Sequence, residues 1–329
     1  MQNAECKIQN AGPRRTSRRA EPGEGADGPI SPATRITLLY VAVMAMTMTL
    51  PAGSQTRLMT ATDVPKLPSA PPTAVVHYGP LPQHVAELRV PKGKGPFPVV
   101  AILHGGCWGE YADITYTAPL ASALTKEGWA TWNLEYRGVH QEGGGWPGTF
   151  EDVGRGLDAI AEAASRWPVD PARVVAIGHS AGGHLALWAA ARPGYPKGSL
   201  FHASRPLPLA GVVSMAGIVD LNAFYEYGRD PCGDRERRLM GGSPAQQPQR
   251  YALASPRERL PLRVPQQLLW GALDRIVPGR LFKDYEEAAR RAGDRVESVT
   301  VEGVGHHEFG APQGPAYHAI VEAIRRLLR

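Results

Sequence analysis

The sequence predicts an α/β fold: a mostly parallel eight-stranded sheet with helices on both faces and a small cap inserted late in the chain. Two observations carry this. Short, nearly continuous apolar runs alternate with longer amphipathic ones, the pattern of strands buried on both faces and crossing over through helices. One of those runs, residues 174–177, then enters a Gly-x-Ser-x-Gly turn and a helical stretch without interruption, giving strand, sharp turn and helix in sequence. No internal repeat competes with this reading.

Taken in order, residues 1–54 read as a leader. Their first part is rich in Gly, Pro, Arg and Glu with no apolar period, which predicts disorder. Residues 36–50 are apolar and end at Pro51, shorter than a membrane span and suited to a signal-peptide core or anchor, with Ala52-Gly53-Ser54 offering small residues for cleavage. This predicts export or membrane tethering, whereas an internal start such as Met44 would leave a cytoplasmic protein. Residues 55–73 read as a linker into a domain spanning 74–329. Strands are predicted at 75–78 and 85–90, joined by a short Gly-Pro turn and therefore antiparallel, then at 99–103, 130–135, 174–177, 211–215, 268–270 and 296–301. Helices are predicted at 119–127, 149–167, 181–191, 281–292 and 316–328. Residues 220–262 mix Tyr, Arg, Pro and Gly and break the alternation, as a cap over a site would. Phe224, Tyr225 and Tyr227 in it are either an apolar wall or the core face of a short helix.

Composition bounds the function. The 329 residues are 43% hydrophobic, enough for one large domain plus a leader. The net charge of +5 is modest, and Arg14, Arg15, Arg18 and Arg19 cluster in the leader. Without a basic stripe interleaved with aromatics, no nucleic-acid partner is expected. Of the three cysteines, Cys6 lies in the leader, and Cys107 and Cys232 do not by themselves make a disulfide framework. Cys107 reads as a small apolar filler. Neither it nor His184 has metal-ligand spacing, so no metal and no cofactor is expected.

The chemistry is carried by Gly178-His179-Ser180-Ala181-Gly182. A nucleophilic serine on a strained turn needs small neighbours two residues away on either side so that strand and helix can approach, and Gly178 and Gly182 meet that need. Serine also needs a base, and the base a group that holds its tautomer. Asp274 leaves the strand at 268–270 on a loop and is the candidate acid, with Asp220, at an earlier strand end, as runner-up. His306 follows the last strand and is the candidate base. His307 is its neighbour and rival; Gly305 favours His306. The negative charge of a tetrahedral intermediate needs fixed backbone donors. His104-Gly105-Gly106-Cys107-Trp108 follows the strand at 99–103, so the N–H groups of Gly106 and Cys107, with that of Ala181, are the candidate oxyanion hole. Trp108 and Trp146 are candidate pocket walls or core packing.

Together, His104-Gly105-Gly106-Cys107-Trp108, Gly178-His179-Ser180-Ala181-Gly182-Gly183, Asp274 and Gly305-His306 resemble an α/β-hydrolase of the esterase/lipase type over residues 74–329. The His-Gly-Gly-x-Trp form is similar to the kynurenine formamidase (arylformamidase) and carboxylesterase branch, with Asn133-Leu134-Glu135-Tyr136-Arg137 where that branch places the next strand. Cys107 stands where aromatic or glycine residues are familiar. The resemblance implies hydrolysis of a small-molecule carboxylic ester, or a reactive amide such as N-formylkynurenine, through an acyl-enzyme and without a cofactor. A catalytically inactive binding protein of the same fold is the non-enzyme alternative.

Overall fold

The computed structural model describes residues 57–227 and 231–329. The leader, with its apolar stretch at 36–50, lies outside them. Among the described residues no helix is long and apolar enough to cross a membrane.

Eight strands form one sheet: β1 (Ala74–His77), β2 (Val85–Arg89), β3 (Phe97–Leu103), β4 (Ala130–Leu134), β5 (Val169–His179), β6 (Gly211–Met215), β7 (Gln266–Gly271) and β8 (Val296–Val301). Their spatial order is β1-β2-β4-β3-β5-β6-β7-β8. Only β1–β2 and β2–β4 pair antiparallel; every pair from β4–β3 onward is parallel. The crossover connections of the parallel part are helices, as parallel pairing requires. These are α1 (Ile114–Lys126), α2 (Gly148–Ala163), α3 (Ala181–Ala190), the helices α4 (Leu221–Glu226), α5 (Arg235–Met240) and α6 (Pro248–Ala254) of the insertion after β6, and α7 (Gly279–Arg291); α8 (Gly314–Leu327) follows the last strand.

The apolar runs become two cores, one on each face. Val99, Ala101, Leu103, Val174 and Ala176 point to one side with α2 and α3, while Val100, Ile102, Val175, Ile177, Val213 and Met215 point to the other with α1 and α8. Successive residues of a strand face opposite ways, so a strand apolar at every position is what a sheet with two covered faces demands.

Two boundaries differ from expectation for physical reasons. Helix α1 begins at Ile114 rather than at Pro119, because Asp113 caps it, its side chain accepting from Thr115 N at 2.8 Å. Pro119 sits inside the helix. The stretch read as a linker is built into the domain from Arg57 on: Val64 is fully buried in a short 3-10 turn (Val64–Lys66) and packs beside Gly310. Val64 and backbone hydrogen bonds from Met59 N to Glu308 and from Ala70 N to Ser122 Oγ dock a segment whose composition is that of a linker.

Candidate active site

The carboxyl ends of β3, β5, β7 and β8 bring the candidate residues together. After β5 the chain turns at Ser180, whose φ of 54° and ψ of −120° lie outside the regions an L-residue prefers. The turn is possible because its flanks lack side chains. A Cβ at Gly178 would stand 2.0 Å from Gly182 O, and one at Gly182 would stand 2.2 Å from Leu103 O and 2.4 Å from His104 O. The same closeness that permits the turn brings α3 against the end of β3. Ser180 N donates to Met215 O at 2.9 Å, which ties the turn to β6.

Asp274 leaves β7 in a tight turn. Its Oδ1 accepts from Ile276 N at 2.8 Å and Val277 N at 3.1 Å, and its Oδ2 accepts from His306 Nδ1 at 2.8 Å. The carboxylate is fully enclosed, and three hydrogen bonds compensate its lost hydration. With Nδ1 donating to the carboxylate, Nε2 is the nitrogen of His306 left to take a proton. No hydrogen bond joins Nε2 to Ser180; such bonds often tighten only with substrate. His307 is differently engaged: its Nδ1 meets Tyr116 OH at 3.2 Å, and burial lowers its pKa to about 4. Asp220 serves as the N-cap of α4, accepting from Ala223 N at 3.1 Å.

The loop after β3 faces the turn from the other side; a Cβ on Gly105 would lie 3.2 Å from the Ser180 Cβ. Gly106, Cys107 and Trp108 all take positive φ, at 93°, 55° and 54°. For the two residues with side chains this is strained backbone. The N–H groups of Gly106 and Cys107 make no hydrogen bond among the described residues. That of Ala181, first residue of α3, has no partner within its own helix. The Ala181 N–H stands at a helix N-terminus, which favours negative charge, and the loop that carries the other two N–H groups packs against the Ser180 turn at Gly105.

The loop is braced from behind. His104 donates from Nδ1 to Gly105 O at 2.9 Å and from Nε2 to Glu135 Oε1 at 2.8 Å. Both nitrogens face oxygens that can accept, an arrangement that favours the protonated ring. Burial works against that charge, but the facing Glu135 carboxylate outweighs it and raises the pKa. Burial likewise pushes Glu135 up, and His104 together with the N–H groups of Tyr136 and Ile114 brings it below its ordinary value. Tyr136 stacks on His104 at 4.2 Å and donates from its hydroxyl to His104 O at 2.7 Å.

Cys107 is not an apolar filler. It forms a disulfide with Cys232 of the insertion, 125 residues away, because the insertion folds back over the end of β3. The same contact carries an ion pair between Arg235 and Glu110, and the Arg235 guanidinium lies 3.9 Å from the Tyr111 ring centre. Trp108 is not a pocket wall. The left-handed turn sends its indole inward, where it has no exposed surface and donates from Nε1 to His184 Nδ1 at 3.1 Å. Trp146 is half-buried, edge-on to Phe150 and Phe201, with the Arg250 guanidinium of α6 over its ring.

The site itself is narrow, with Ser180 4% and His306 7% exposed. Two cavities of about 390 Å³ each lie away from it, one beside β1 and α2 and one below β7 and β8. Among the described residues no group of three or more His, Cys, Asp or Glu is placed to hold a metal ion. Sequence reasoning missed Glu135, Cys232, His179 and Glu308 as supports of this site. Their signal was present only as polar residues at strand ends and beside the motifs.

The BD-FAE family matches residues 87–287. A probable carboxylic ester hydrolase, LipM of Mycobacterium tuberculosis, is 34% identical over 31% of this chain and 23% of its own length. A probable isoprenylcysteine alpha-carbonyl methylesterase of Arabidopsis thaliana is 25% identical over 70% of this chain and 50% of its own. The chain therefore spans half or less of the length of these curated relatives. A carbohydrate esterase from gut microbiota superposes with a TM-score of 0.67 at 20% identity, covering 77% of this chain and 94% of that one. Thermogutta terrifontis Est2 in its propionate-bound form superposes with a TM-score of 0.62 at 22% identity, over 79% and 95%. By its sheet order, its helices and the family that covers most of its described length, the chain is a member of the BD-FAE family with the α/β-hydrolase fold.

Proposed function

We propose that this protein is a serine hydrolase of carboxylic esters, with Ser180 as nucleophile, His306 as general base and acid, and Asp274 as the group that orients it. The observation that carries the reading is the 2.8 Å bond from His306 Nδ1 to the enclosed Asp274 carboxylate, on the same rim as a serine in a strained turn. Ser180 Oγ attacks the ester carbonyl while His306 Nε2 takes its proton, and Asp274 stabilises the imidazolium that forms. The carbonyl oxygen becomes an oxyanion held by the N–H groups of Gly106, Cys107 and Ala181. His306 then gives the proton to the departing alcohol, leaving Ser180 acylated. A water deprotonated by His306 attacks the acyl group, and the acid leaves as Ser180 recovers its proton.

The slight exposure of Ser180 favours short acyl groups, as does the disulfide beside the oxyanion loop. The esterase names of the relatives and structural neighbours support ester chemistry. The His-Gly-Gly-x-Trp motif favours a second reading, hydrolysis of N-formylkynurenine. A panel of p-nitrophenyl acetate, butyrate and longer esters, feruloyl and acetyl-sugar esters, and N-formylkynurenine decides between them. Ser180→Ala should abolish turnover of whichever is preferred while leaving the fold intact, and unchanged hydrolysis by that variant would refute the assignment. The Cys107–Cys232 disulfide also supports export, since such bonds persist in oxidising compartments; fractionation of cells producing the full chain tests it.

A further inference from the structure

His179 precedes the proposed nucleophile, is buried, and takes no part in the chemistry above. Its Nε2 meets His306 O at 2.9 Å, and because a carbonyl only accepts, Nε2 carries the proton. Burial holds the imidazole neutral, its pKa well below the ordinary histidine value. Nδ1 is then an acceptor, and it is buried with no partner. The one hydrogen bond of this ring therefore goes to the backbone of the proposed base. The ring has no room to turn away. Tyr116 of α1 stacks on it at 5.4 Å, the His306 ring stands at 4.6 Å, and a Cβ on Gly105 would come within 3.0 Å of its Nδ1.

We infer that His179 is a positioning residue that ties the loop of His306 to the turn of Ser180 through its bond to the His306 carbonyl, and so sets the approach of base to nucleophile. This rests on the proposed roles of Ser180 and His306. Ser180 and His306 lie on segments 126 residues apart in sequence that share no strand pairing, and the side chain next to the serine spans the gap between them. A displacement of about 1 Å between reacting groups can lower a rate on the order of 100-fold.

The test compares His179→Gln, whose amide nitrogen can reach the position of Nε2, with His179→Asn, whose shorter side chain cannot. We expect His179→Asn to lower kcat for p-nitrophenyl acetate on the order of 10- to 100-fold with KM within about twofold, and His179→Gln to recover most of the loss. A second readout does not depend on activity: the downfield proton resonance of the His306 Nδ1–H, identified by its loss in His306→Gln, should broaden in His179→Asn and persist in His179→Gln. Equal losses in both variants, or wild-type kcat in His179→Asn, would overturn the inference. If Ser180→Ala retains full activity while the resonance still follows the Gln–Asn difference, the catalytic reading has failed and the tether stands.

Discussion

The two sides of Ser180 are built differently. The oxyanion side is a strained backbone held by covalent and ionic means: positive φ at Cys107 and Trp108, a disulfide to the insertion, and an imidazolium–carboxylate pair behind the loop. The base side is an unstrained turn, with His306 at φ −79°, held by single hydrogen bonds: His306 Nδ1 to Asp274, His179 Nε2 to the His306 carbonyl and Gly305 N to Glu308. The difference matches what each side must do. Donors to a developing charge work best when they cannot reorganise, whereas a base that passes a proton between two oxygens must adjust by fractions of an ångström. Under the proposed mechanism, the covalent and ionic restraints fall on the side where the negative charge would develop.

The largest effect expected is on the base side. Asp274→Asn leaves His306 Nδ1 facing an amide that can present a donor, favouring the wrong tautomer, and should lower kcat on the order of 10⁴-fold with the fold retained; circular dichroism alongside steady-state kinetics checks both. On the oxyanion side, Cys232→Ser or reduction by a dithiol releases Cys107 from its strained conformation. Turnover should fall on the order of 10- to 1000-fold, the upper end being the loss of one donor, and reoxidation should restore the reduced wild type. Glu135→Gln removes the partner of the buried His104 imidazolium. It should cost on the order of 3 kcal/mol of stability, read from urea unfolding, and lower kcat while leaving fluorophosphonate labelling of Ser180 measurable. The smallest effect is expected at Glu308, whose Oε1 accepts from Met59 N at 2.6 Å and Oε2 from Gly305 N at 3.0 Å. Glu308→Gln should change kcat only a few-fold while increasing proteolysis of the segment before Val64.

Acid should loosen the two sides unequally. His104 has a raised pKa, so its contribution to stability is complete below about 6.5 and is lost as pH rises through the raised value. Its partner Glu135 has a lowered pKa, and its contribution is lost only as pH falls through that value. His307, next to His306, and His184 of α3 behave oppositely to His104. Burial lowers both to about 4, so the unfolded chain binds protons first and stability falls from about pH 6.5 down to 4, on the order of 1 kcal/mol per pH unit for each group. Melting temperatures across pH 4–7 should fall toward acid, with a shallower slope in His307→Gln.

The parallel sheet and the candidate triad were legible because each depends on local sequence. Continuous apolar runs can only be strands with two covered faces, and Gly178-x-Ser180-x-Gly182 writes the turn in residues that touch one another. Asp274 and His306 were readable from chain order on the loops after β7 and β8. What could not be read depends on approach between distant segments. Cys232 lies in an insertion whose path over β3 no local pattern specifies, so two isolated cysteines gave no sign of a bond. Trp108 read equally as pocket wall or core packing, and it is the left-handed turn that sends its indole inward to His184. Val64 and Met59 dock through single contacts in a segment whose composition resembles a linker. His179 stood inside the motif, but its bond is to a carbonyl 127 residues away.

Reaction of the purified protein with a fluorophosphonate, followed by mass spectrometry of the labelled peptide, tests the central claim most directly. The account predicts one covalent adduct, on Ser180, formed by the wild type and lost or greatly slowed in His306→Ala. An adduct on another residue, or equal labelling with and without His306, would contradict it.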